Sequence, residues 1–170
     1  LAAVKEPRWP GSVREALAAW PEFAQLAHAA PRRVPDAAFR DEVLTGEDVD
    51  LLRLPIQRCW PDDAGFLLSM AMVVTRGARR ERQNVGIYRQ QVLGRNRVIM
   101  RWLPHRGGAL DFADWRAAHP DRPFPVLVAI GADPAMMLAA VAPVPDTLSE
   151  FQFAGLLRGE RSRVWRSDLT

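Results

Sequence analysis

Residues 65–103 read GFLLSMAMVVTRGARRERQNVGIYRQQVLGRNRVIMRWL, and three apolar stretches in it, 66–75, 86–93 and 97–103, decide the fold. They are rich in Val, Ile, Leu and Met and are separated by turn signals, first Gly77 with its charged neighbours and then Gly94-Arg95-Asn96. Turns this short predict an antiparallel meander. Downstream the pattern mixes. Asp111 is placed to cap a short helix through Trp115 and Ala118, residues 123–130 predict an apolar strand, and Asp133-Pro134 opens a helix over 136–141. Residues 147–157 predict a further helix with Gly159 as its stop. Strands first, with strand and helices mixed afterwards, indicate an α+β fold with a barrel-like sheet rather than a doubly wound one.

Upstream the chemistry is helical. Ser12 with Glu15 makes a capping box before Leu17, Ala18 and Trp20, and Pro21 sits where a second short helix starts, ending before Pro31. Residues 31–35, with two prolines around Arg32 and Arg33, read as a linker, and Gly46-Glu47-Asp48 as a turn before Leu51, Leu52 and Leu54. A boundary near residue 45 divides a helical segment, 1–45, from a main domain, 46–170. The sequence carries no internal repeat and no low-complexity tract.

The 170 residues, 48% hydrophobic and 25% charged, suffice for one ordinary core and exclude a disordered chain. The longest apolar stretch, around 66–74, is interrupted by Ser69 and is too short to cross a bilayer. Cys59 is the only cysteine, which excludes an internal disulfide and any multi-cysteine zinc site and suits a reducing, cytoplasmic compartment. The chain opens on Leu1 with no basic-then-apolar leader, so a portion of a longer, unsecreted protein is expected. Its net charge is only +3, its one lysine is Lys5, and its arginines are interspersed with acids except around 76–82. A solvated arginine-rich surface explains that balance, and nucleic acid is not expected as a partner.

Three segments could carry chemistry. In Gln83-Asn84-Val85-Gly86-Ile87-Tyr88-Arg89, strand alternation puts Val85, Ile87 and Arg89 on one face. An arginine among apolar neighbours is costly unless an anion meets it, although an edge strand would let it reach solvent. In Trp102-Leu103-Pro104-His105-Arg106-Gly107-Gly108, the glycines permit close backbone approach while His and Arg can serve a metal and a phosphate; a surface histidine beside structural glycines is the plainer alternative. The turn 143–149 delivers Glu150 into the first turn of a helix, where the dipole alone would favour a carboxylate. Asn84, His105 and Glu150 together would offer an amide oxygen, an imidazole nitrogen and a carboxylate, a mixed set suited to Mn²⁺ or Mg²⁺. Spacing alone cannot bring them together.

These segments, with Leu54-Pro55-Ile56-Gln57-Arg58-Cys59-Trp60-Pro61, Val74-Thr75-Arg76-Gly77, Gly131-Ala132-Asp133-Pro134 and residues 143–159, resemble the UbiD family, in particular its 3-polyprenyl-4-hydroxybenzoate decarboxylase branch of ubiquinone biosynthesis. The resemblance implies a split β-barrel of flavin-reductase type that holds prenylated FMN with Mn²⁺, and K⁺, near its phosphate. Carried over residue by residue, it implies Asn84, His105 and Glu150 as metal ligands and Arg89 as the arginine of a catalytic Glu-Arg-Glu network. It further implies Ser69, Met70, Ile87, Val141, Ala142 and Pro143 as cofactor-lining positions, and Arg106 as charge near the phosphate. The partners implied are an aromatic acid substrate, a flavin prenyltransferase that supplies the cofactor, and further copies of the full-length chain. A lipid-tailed substrate would bring a cytoplasmic enzyme to the inner membrane as a peripheral protein.

One departure stands out. The family's catalytic acids belong to a later segment that is not reached by Thr170, and Glu160 sits in a helix exit instead. The resemblance therefore implies decarboxylation by the full-length enzyme and cofactor binding at best by this chain, now as a remnant of the N-terminal domain over 1–45 and a flavin-binding domain over 46–170. The competing expectation is a short protein that binds flavin or metal without catalysis.

Overall fold

The computed structural model describes residues 11–12, 14–15, 24–145 and 147–167, and in it the expected first long strand is split. After a two-residue strand, Arg32–Arg33 (β1), the chain forms Leu67–Leu68 (β2) and Met72–Thr75 (β3). The expected second strand is likewise divided into Asn84–Ile87 (β4) and Gln90–Gly94 (β5), and the third is shortened to Arg97–Met100 (β6). Register explains the division. Leu68 stands opposite Gln90 and Met72 opposite Ile87, so residues 69–71 face only residues 88–89. These residues, three on one side and two on the other, pair with nothing between the two ladders, so the hairpin bends and regular alternation ends. Arg89 consequently lies exposed in the bend rather than on the face shared by Val85 and Ile87.

The bend sends the two halves of the hairpin into different sheets. One has the order β2-β5-β6; the other is β4-β3 followed by Leu127–Ala129 (β7). Every pairing in both sheets is antiparallel, but the meander is two sheets rather than one, and no closed barrel forms among the described residues. The strand expected over 123–130 contracts to β7 because Pro123 and Pro125 have no N–H to give a ladder.

The helix expected to start at Asp111 begins earlier, as Gly107–Ala118 (α1), with Arg106 as its N-cap residue. Asp111 is instead fully buried inside it and accepts a hydrogen bond from the Thr75 hydroxyl (2.7 Å). Asp114, one turn on, accepts from the backbone N–H (2.9 Å) and Nε (2.6 Å) of Arg79, fastening α1 to the loop between β3 and β4. Those bonds, the backbone one foremost, hold the Asp114 carboxyl below its usual range. Pro134–Val141 (α2) starts as expected, with Asp133 accepting from the N–H groups of Ala135 (3.0 Å) and Met136 (3.2 Å). The last helix, Glu150–Arg158 (α3), starts three residues later than expected because Ser149 and Gln152 form the reciprocal capping box. Gly159 ends it in the left-handed conformation at φ 70°.

Met72 and Val74 of β3, Val85 of β4, Met136 and Ala139 of α2, and Phe153 and Ala154 of α3 form the core. Burying each larger side chain is worth about 1.5–3 kcal/mol. This sheet-and-helix layer anchors the domain, since Leu93, Val98 and Ile99 of the other sheet remain exposed. The segment read as a linker is a paired strand: β1 runs parallel to Arg163–Val164 (β8), and Arg161 donates to the carbonyls of Ala30 (2.6 Å) and Pro31 (3.2 Å). Near the N-terminus, the Glu15 N–H reaches the Ser12 hydroxyl (3.2 Å), while the Glu15 carboxylate takes the N–H of Gly11 (2.8 Å) rather than that of Ser12. The helix expected over Leu17, Ala18 and Trp20, and the start at Pro21, lie outside the described residues.

Candidate metal and cofactor site

Asn84 opens β4 directly opposite Thr75 of β3. Its Nδ2 donates to the Thr75 hydroxyl oxygen (3.1 Å), and its Oδ1 lies against the Cα of Gly107, where any Cβ would overlap it. The paired glycines are thus used for close approach within the protein: Gly107 admits the Asn84 amide, and Gly108 admits the Trp102 indole while giving its N–H to the Tyr88 hydroxyl (3.2 Å). His105 ends the chain's approach to α1 and is exposed. Asn84 and His105 line one cleft of about 600 Å³, together with Arg80, Glu81, Arg82, Asp111 and the start of α1.

Glu150 is the first residue of α3 and is only 8% exposed. Burial, the largest influence, pushes its carboxyl above the usual range, against the opposing pull of its own backbone N–H, Arg82 and the Val85 N–H. Its Oε2 has no hydrogen-bond partner. Its carboxyl is within reach of the N–H of Val85, the neighbour of Asn84, and is not part of the cleft lining. Because the native state holds this proton more tightly than the unfolded chain, the group favours folding most below the ordinary carboxylate range, and stability is lost as pH rises through the raised value. Glu150→Gln should accordingly stabilise the metal-free protein at pH 8 by on the order of 1 kcal/mol and do little at pH 4, as read from urea midpoints at the two pH values. Equal effects at both would contradict the burial argument.

Among the described residues no group of three or more His, Cys, Asp or Glu side chains could hold a metal by itself. The candidate set depends on an amide, and its donors are of the kind a hard divalent cation takes: among the described residues Asn84 Oδ1 accepts no hydrogen bond, and Glu150, outside the cleft lining, carries a buried carboxylate oxygen with no donor. A cation would satisfy that oxygen and reverse its cost.

A second cluster forms in the bend of the hairpin. Arg89 Nη2 meets Asp63 Oδ2 at 2.7 Å, and its Nε donates to Ser69 Oγ (3.4 Å), which also lies 3.5 Å from Cys59 Sγ. The hydrogen bond from Arg89 is the main reason the Asp63 carboxyl lies below its usual range, and the same contact holds Arg89 above its own. Sequence reasoning missed Asp63. Its only local trace is a turn in which it accepts the Trp60 N–H (3.1 Å), three residues before it. Met70 and Val141 are largely exposed, Ile87 is half-buried in β4, and Ala142 with Pro143 follows the end of α2, which packs on β4. Arg106 is exposed beside His105 and makes no side-chain cap to α1.

Three of the four arginines of 76–82 are engaged within the domain. Arg79 pairs with Asp114 (2.6 Å), Arg80 with Asp111 (3.5 Å), and Arg82 donates to the carbonyls of Pro145 (3.4 Å) and Leu148 (2.8 Å) ahead of α3. No helix among the described residues is long and apolar enough to cross a membrane.

The family described as UbiD, 3-octaprenyl-4-hydroxybenzoate carboxy-lyase Rift-related domain, matches residues 32–170. The chain belongs to the UbiD family. Among solved UbiD-class structures, HmfF from Pelotomaculum thermopropionicum, in an evolved dimeric form in complex with prFMN, superposes with a TM-score of 0.73 at 31% identity over 86% of this chain and 35% of its own. The same enzyme in complex with FMN gives 0.72 and 29% over 95% of this chain and 38% of its own. Vanillic acid decarboxylase from Sedimentibacter hydroxybenzoicus, in closed form, gives 0.71 and 28% over 94% of this chain and 34% of its own. The chain thus spans about a third of the length of these UbiD relatives.

Proposed function

We propose that this chain is the flavin-binding part of a UbiD-type carboxy-lyase which, with the remainder of a longer polypeptide, removes CO2 from a 3-polyprenyl-4-hydroxybenzoate. The observation that carries the reading is the convergence of Asn84 and His105 on one cleft, with an unpartnered oxygen on Glu150, whose carboxyl the Val85 N–H reaches. In this reading Asn84, His105 and Glu150 hold Mn²⁺, with K⁺ nearby, and Arg106 balances the cofactor phosphate. Ser69, Met70, Ile87, Val141, Ala142 and Pro143 line prenylated FMN, and the two sheets are the halves of a split barrel. The flavin, when bound, supplies the electron sink for the bond that releases CO2.

Arg89 is the residue for the substrate carboxylate. A guanidinium fork pairs bidentately with a carboxylate, and Asp63 with Ser69 presents it in a fixed orientation at the bend. A flavin prenyltransferase would supply the cofactor, the lipid tail would take a cytoplasmic enzyme to the inner-membrane surface, and the full-length chain would assemble with further copies. The dimeric flavin-bound relative supports the cofactor and assembly readings.

The test is to make the chain anaerobically beside a flavin prenyltransferase, then record its absorption spectrum, native mass and metal content. Bound flavin with Mn²⁺ is expected; a colourless, metal-free protein would overturn the reading. Flavin and Mn²⁺ without turnover, in a polypeptide extended through the family's acidic segment, would instead support a non-catalytic binding domain. Asn84→Ala and His105→Ala should each weaken Mn²⁺ binding by at least about tenfold, as measured by titration followed with electron paramagnetic resonance. Unchanged affinity would remove them as ligands.

A further inference from the structure

The hydrogen bonds behind Asn84 have a direction that decides which atom of its amide faces the cleft. Asp111, 0% exposed, accepts from the Thr75 hydroxyl at 2.7 Å, and its other oxygen faces Arg80 Nε at 3.5 Å. A carboxylate can only accept, so the single Thr75 proton is committed to it. The Thr75 oxygen, 2% exposed, is then left as an acceptor, and only the NH2 end of the Asn84 amide can meet it, as it does at 3.1 Å. Oδ1 is thereby turned toward Gly107 and the cleft. An amide facing the other way would present two N–H groups, which repel a cation.

We infer that Asp111 and Thr75 are positioning residues that lock the Asn84 amide with its oxygen toward the metal. The inference rests on the metal reading above. Asp111→Asn separates this lock from a merely structural contact. Arg80 Nε lies 3.5 Å from Asp111 Oδ1 without hydrogen-bonding it, and its positive charge favours the new amide oxygen on that side, with the new NH2 facing Thr75. Thr75 then accepts from that NH2, and its proton, released from the carboxylate, becomes available to the Asn84 oxygen; taking it would reverse the chain and turn Asn84 Nδ2 to the cation. A nearly isosteric, neutral change would thus do more harm than loss of the hydroxyl.

The experiment has two readouts on the whole chain. In the first, Mn²⁺ titration followed by electron paramagnetic resonance, Thr75→Val should weaken binding about tenfold, Thr75→Ser should restore it, and Asp111→Asn should weaken it more than Thr75→Val. In the second, nuclear magnetic resonance of the metal-free protein, the Asn84 side-chain NH2 should show one proton protected from exchange, and this protection should vanish in Thr75→Val. Affinity and protection both unchanged in Thr75→Val would overturn the inference, as would wild-type affinity in a folded Asp111→Asn. If Asp111→Asn does not fold, the Thr75 pair decides alone. Wild-type protein that ignores Mn²⁺ yet shows the protected amide would sink the metal reading and the purpose inferred for the lock, while leaving the lock itself in place.

Discussion

Gly107→Ala is expected to weaken Mn²⁺ binding on the order of 100-fold and to lower folding stability by about 1–3 kcal/mol. Propensity argues the other way, since alanine is favoured over glycine within a helix by up to about 1 kcal/mol. Geometry decides the sign. A Cβ on Gly107 would overlap Asn84 Oδ1, and the amide cannot step aside without giving up its bond to Thr75 (3.1 Å). Either α1 shifts, straining the contacts of Asp111 and Asp114 that fasten it, or Asn84 leaves its rotamer. Both routes remove an oxygen from the proposed metal site. Metal titration and a denaturant melt on the same sample check the two effects, and an affinity within threefold of wild type would contradict the geometry.

Gly155→Ala is expected to cost about 2–3 kcal/mol, again opposite to helix propensity. Gly155 lies in the middle of α3, where a Cβ would overlap the backbone carbonyl oxygen of His28 and stand 3.5 Å from that of Glu160. A side chain could rotate away; the His28 carbonyl, in the turn Leu26–His28 that touches α3, can move only with its backbone. Relief would require that turn to lift from α3, endangering the Arg161 bonds to Ala30 and Pro31 and the β1-β8 pairing. A fall in the urea midpoint is the expected result. A more stable variant would show that α3 and the turn are not in contact.

These glycines illustrate which features could be read locally. Helix ends act over three or four residues, so the Asp133-Pro134 start of α2 and the Gly159 stop of α3 were legible, as was Glu150 in a first turn. The start of α3 was misread at Thr147 because Ser149 and Gln152 compete as a better box. Asp111 was misread as a cap for a different reason. Its partner Thr75 lies 36 residues away, and nothing in the local sequence signals that the carboxylate is buried.

The amino-acid sequence by itself determined the α+β class, the positions of α2 and the end of α3, and, through its long motifs, membership of the UbiD family. Tertiary structure alone decided that the strand hairpin bends into two sheets, because a break in pairing exists only in the register between partners. It also decided that Arg89 meets Asp63, and that the Asn84 amide is oriented by Thr75 and Asp111. Caps and turns are short-range chemistry carried by neighbours in sequence. The direction of a buried hydrogen-bond chain is set by groups that only folding brings within 3 Å or so of one another.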